Sequence, residues 1–135
     1  MSATQTRTVA SSYDDTVARV REALADQGFG VLTEIDIRAT LKTKLDVDVA
    51  SQVILGACRP QLAHRALQAV PSVAALLPCN VVVRDLEDGT TLVEAVDPDA
   101  MMSVVEDPDG ELAAVAADAR TRLDAALAAL TEDEA

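Results

Sequence analysis

The chain has no tryptophan, and its whole aromatic inventory is Tyr13 and Phe29. Base-stacking platforms and aromatic cages need several rings on one surface, so a single copy builds neither. Positive charge is scarce too: nine arginines, Lys42 and Lys44 stand against 23 acidic residues, a formal net charge of −12. Such a surface repels phosphate backbones and anionic headgroups, which excludes generic nucleic-acid and membrane-surface binding. Two cysteines, Cys58 and Cys79, are too few for a disulfide scaffold in 135 residues, and free thiols are expected. No run approaches the roughly 18 apolar residues that cross a bilayer, and no apolar targeting core follows Met1. The expectation is a cytoplasmic protein. With only five Gly and five Pro there is no linker or low-complexity stretch, and residues 1–135 read as one domain.

What is present is a core: half the residues are apolar. Thr4–Ala10, rich in β-branched residues, reads as an edge strand. Ser12 and Asp15 resemble a capping box, and Tyr13, Val17, Val20 and Leu24 then recur at helical spacing up to Gly28. From Phe29 to Ile37 the period falls toward two, with Val31, Thr33, Ile35 and Ile37 on one face and Leu32, Glu34 and Asp36 on the other. Residues 39–45 form a short helix, Val53–Cys58 a buried strand, and Pro60 opens a helix with a stripe of Leu62, Ala63, Ala66, Leu67 and Val70. Val73–Pro78 is a short turn of helix or a packed connection. Asp88-Gly89 between Val81–Val83 and Thr91–Val96 is the strongest hairpin signal in the chain. Asp97-Pro98 and Asp107-Pro108 each pair an N-cap residue with proline. The second opens a long helix whose stripe runs Leu112, Val115, Ala116, Ala119, Leu123, Ala126, Leu127, Leu130. Residues 131–135 form an acidic tail, unfavourable at a helix C-terminus and expected to fray. The main order strand, helix, strand, strand, helix, strand, strand, helix describes an α+β fold. Helices lie on one face of a mostly antiparallel sheet, which leaves the other face to water or a partner.

No phosphate loop, nucleophile elbow or zinc-helix motif occurs, and no reaction or catalytic residue is identified. Glu34 and Asp36 share a strand face with Lys42 close behind, a set that suits a ligand or hard cation as well as a solvated face with a local ion pair. Cys58 and Cys79 read either as inert core thiols or as a paired redox or soft-metal site. His64 lies on the flank of its helix stripe, as a surface histidine does, and Met101 and Met102 read as packing residues.

Gly28–Asp36, Thr40-Leu41-Lys42, Ile54–Pro60 and Leu77–Val83 together resemble the prokaryotic domain-of-unknown-function family 302, over about Tyr13 to Met101. The resemblance implies a small α+β domain, often a homodimer, with no established activity or cofactor. It sets Glu34, Asp36, Lys42, Cys58, Pro60, Pro78, Cys79 and Asn80 on motif positions, while Arg59 replaces a frequent asparagine. Two functions follow as expectations. The first is a noncatalytic dimeric module that binds a small ligand, ion or partner in a cleft, through Glu34, Asp36, Lys42 and Asn80. The second is a thiol redox or soft-metal protein using Cys58 and Cys79. The small side chains Ala113, Ala117, Ala125 and Ala129 and the half-covered sheet are the candidate dimer surfaces.

Overall fold

The computed structural model describes residues 3–133, with side chains described through Leu130. Five strands, β1 (Thr4–Val9), β2 (Gly30–Asp36), β3 (Gln52–Cys58), β4 (Cys79–Asp85) and β5 (Thr91–Val96), form one sheet in the order β1-β5-β4-β3-β2. Every pairing is antiparallel. Strand alternation puts Val53, Leu55, Ala57, Val81, Val83, Val93 and Ala95 on one buried face. That face packs against α1 (Tyr13–Asp26) and α5 (Glu111–Asp133) through Val20, Leu24, Leu123, Leu127 and Leu130.

A second, smaller core lies beside the first. It joins Leu62 and Ala66 of α3 (Pro60–Ala69), Val73 of a 3-10 turn (Pro71–Leu76), Met102 of α4 (Pro98–Met102), and the first half of α5 through Leu112, Val115, Ala116 and Ala119. All eight residues of the expected α5 stripe are therefore buried, four in each core. One helix spans two cores because its length exceeds that of the sheet face it covers.

Local signals fare unevenly. The Ser12 hydroxyl caps α1 by accepting the Asp15 N–H at 3.2 Å, as the box predicts. The Asp88-Gly89 turn forms a longer loop, with Glu87 (φ 61°) and Gly89 (φ 89°) left-handed and the Asp88 carboxylate accepting the Thr90 N–H at 3.0 Å. The face assignment in β2 is corrected. A bulge between Val31 and Thr33 sets Val31 opposite Ala57 but Thr33 opposite Gly56, so the two point to opposite faces. Ile37 is no strand residue, since Asp36 caps α2 (Ile37–Leu45) by accepting the Ala39 N–H at 2.9 Å. The α3 stripe is narrower than its pattern, with Leu67 exposed.

The long helix starts at Glu111, not at Pro108. Asp107 still satisfies its first turn from across a bend, accepting the Leu112 and Ala113 N–H groups at 3.0 and 2.9 Å. Of the tail, α5 is traced to Asp133, and residues 134–135 lie outside the described ones.

Candidate functional site

The carboxylate and lysine residues expected to share a cleft are only partly brought together. Asp36 and Lys42 line one shallow groove of about 380 Å³ with Arg38, Ala39 and Asp48. Both are already engaged: the Asp36 carboxylate caps α2, and Lys42 Nζ sits 3.0 Å from Asp46 and 3.3 Å from Asp48. Glu34 turns elsewhere and receives Arg21 of α1 at 2.5 Å. Asn80, opposite Gly56 in the ladder, is exposed on the uncovered sheet face, away from the buried residues that flank it in sequence. These exposed pairs contribute little to stability, and they engage both Glu34 and Asp36. Glu34 and Asp36 do share one effect with Asp14 and Asp85. Burial first, and these charges after it, raise the Tyr13 hydroxyl pKa. Among the described residues no group of three or more His, Cys, Asp or Glu side chains can hold a metal ion.

The two cysteines border a different place. Cys58 ends β3 and Cys79 begins β4, where Ala57 and Cys79 pair. Both line a crevice of about 30 Å³ that opens to solvent beneath the start of α3. Phe29 and Ala57 of the sheet core form one wall, and Leu62, Ala66, Met102, Val115 and Ala119 of the second core form the other. The crevice is the seam between the two cores. Strand alternation starts Cys79 toward the helices, where it is buried, while Cys58 leaves on the opposite side and is half-buried. Both are free thiols. Burial raises the Cys58 pKa and pushes Cys79 to about 11, with a further push from Cys58, so near neutral pH both stay protonated.

One wall residue is polar. Arg59 stretches across Gly28, whose left-handed backbone (φ 82°) and missing Cβ give it room: a Cβ there would stand 3.0 Å from Arg59 Nε. That Nε is buried and has no hydrogen-bond partner. Arg59 is also the N-cap residue of α3, and no side chain caps that helix. Sequence reasoning noticed Arg59 only as a departure from an asparagine and read Met102 as a packing residue, which its burial in the second core bears out. The one available signal was Cys-Arg-Pro at a strand-to-helix junction, where strand ends and helix starts commonly frame sites. His64 is exposed and does not line the crevice.

Residues 5–130 match the model of the family described as "Domain of unknown function DUF302". Among solved structures, the chain is similar to an uncharacterized conserved DUF302 protein from Bacillus stearothermophilus, at 34% identity. The match covers 94% of this chain and 97% of that one, with a TM-score of 0.84. No curated protein matches the sequence. Among the described residues no helix is long and apolar enough to cross a membrane.

Proposed function

Because the chain belongs to the DUF302 family of domains of unknown function, we propose from its geometry a noncatalytic, dimeric module that binds a small ligand in the crevice between its two cores. One observation carries this reading: an apolar, solvent-open seam runs between the two cores, with Arg59 among its lining residues and the Arg59 Nε, beside Gly28, left without a hydrogen-bond partner. Apolar pockets with a few fixed polar groups are the usual form of small-ligand sites, and a seam between two cores parts at less cost than a single core. The engaged carboxylates and protonated thiols support binding over catalysis. The reading takes the protein to be cytoplasmic, where both thiols stay reduced.

Xenon tests the crevice, since it settles in apolar cavities. The expected result is xenon between Leu62 and Met102 in a pressurised crystal, and its loss in Ala63→Leu, which fills the wall without touching either core's centre. A crevice that stays empty in the parent protein defeats the reading.

The second copy is expected on the β2 and α2 side. Leu32 (66% exposed) and Ile35 (45%) lie on β2, Leu45 (66%) ends α2 and Val47 (40%) follows it, and α2 itself carries three basic residues and no acidic one. These basic residues nearly offset Glu34, Asp36, Asp46 and Asp48 around them, so in a chain of net charge −12 two copies meet here with little local repulsion. Ala113, Ala117 and Ala125 are exposed on α5 but bring little apolar area, so they are the weaker candidates. Light scattering should give a dimer that tightens with added salt and dissociates in Leu45→Glu. A monomer mass at high concentration removes the dimer.

A further inference from the structure

Resting on the dimer reading, we infer that the contact runs from the β2 margin across the whole uncovered face of the sheet, so that two copies lie sheet against sheet. The strand registers define that face. Its middle row joins Ile35, Ile54, Val82, Glu94 and Thr6 from β2 to β1, each paired with the next. The row on one side carries Arg84 and Leu92, and the row on the other carries Asn80 and Val96. The sheet core with α1 and α5 lies on the opposite face. Ile54, Val82, Leu92 and Val96 are therefore only half-buried, and Ile35 is 45% exposed.

Three properties of this face select a second copy of the chain as its occupant. The first is charge. The chain has 11 basic and 23 acidic residues, yet the three rows hold one of each, Arg84 and Glu94. The whole negative excess lies elsewhere, where it would draw a basic partner, while a neutral face admits another acidic chain without local repulsion. The second is self-complementarity. A twofold contact sets a patch against itself, so each charge in it needs its opposite within the same patch. Arg84 and Glu94 lie 3.7 Å apart on adjacent strands, with side chains 38% and 29% exposed, and Glu94 Oε2 also accepts the Thr4 hydroxyl at 2.8 Å. A twofold axis between them sets each guanidinium beside the other copy's carboxylate. The third is area. Five strands about 4.8 Å apart, each with six residues of about 3.3 Å, make a face of roughly 24 by 20 Å. That is about 480 Å² in projection on each copy, so a pair comes near the roughly 1,000 Å² of a specific interface before side-chain relief is counted.

The test is analytical ultracentrifugation of the full chain at moderate salt, with a thermal melt of each variant. Val82→Glu puts a charge at the centre of the face and outside both cores. It should weaken dimerisation about a hundredfold or more while melting near the parent. Arg84→Glu and Glu94→Arg should each be monomeric, because each sets like charges against one another across the axis. An equimolar mixture of those two should recover the dimer.

A monomeric parent removes the dimer reading and this inference together. A dimer that Leu45→Glu dissociates but that Val82→Glu and both charge variants leave intact overturns the sheet-to-sheet contact alone. Should Val82→Glu fail to fold, the mixture decides: charge variants that stay monomeric when combined, or dimerise when apart, overturn the inference.

Discussion

Gly56→Ala is expected to destabilise the protein by roughly 2–3 kcal/mol, the range of overpacked cores, with a melting temperature lower by about 5–10 °C. Gly56 lies within β3, paired with Asn80 of β4 on one side and Thr33 of β2 on the other. An added Cβ would stand 2.1 Å from Thr33 Oγ1 and 2.7 Å from Pro78 Cγ. Neither neighbour withdraws freely: Thr33 is fixed by the register that follows the bulge, and the Pro78 ring is part of the backbone's own constraint. In an unobstructed strand the same change would help, since glycine costs about 0.5–1 kcal/mol against alanine there. The collision outweighs that gain. Urea melts of the single variant and of Thr33→Ala/Gly56→Ala decide the mechanism. The double variant should recover part of the loss, because one of the two obstructing atoms is gone. A single variant within about 0.5 kcal/mol of the parent, the level of an indifferent surface change, would show that the sheet yields at this point.

The second large effect is alkaline. Burial holds the Cys79 thiol in its protonated form, with a pKa raised from the ordinary 9.0 to about 11. A raised folded pKa means that the folded chain keeps a proton the unfolded chain gives up. The associated stability is whole below pH 9 and drains as the pH rises through about 11. Two pKa steps correspond to something on the order of 2–3 kcal/mol. Tyr13, whose pKa is raised first by burial and then by Asp36, Asp14, Glu34 and Asp85, adds to the loss above its ordinary 10.0. Cys79→Ala should therefore be less stable than the parent at neutral pH, from the space it leaves, yet flatter between pH 8.5 and 11. Urea midpoints over that range measure the difference. Equal slopes in the two proteins would remove Cys79 as the origin. Near neutral pH the same protonation holds the thiol in its weakly nucleophilic form.

Signals confined to one element transferred well to the structure. The Ser12 cap, the eight-residue stripe of α5, the buried run of β3 and the Asp97-Pro98 helix start depend on neighbours three or four residues away, which the sequence displays. Where a distant partner sets the outcome, the pattern misled. In β2 the alternation reads cleanly through Leu32, but β3 dictates the register and Leu32 becomes the extra residue of a bulge, 66% exposed. At Asp107-Pro108 the capping side chain is legible, while the bend that delays the helix to Glu111 is not. Glu34, Asp36 and Lys42 are neighbours in the chain, yet each is drawn off by a different partner, Arg21, the α2 backbone and the Asp46/Asp48 pair.

By itself the sequence determined the α+β class, the apolar faces, the acidic surface and the two thiols at strand ends, since each rests on composition or on short periodicity. Only the tertiary structure decided that α5 bridges two cores and that Phe29, Arg59 and Met102 meet across their seam. Such a seam exists only where elements far apart in the chain pack side by side, and no local spacing encodes that distance.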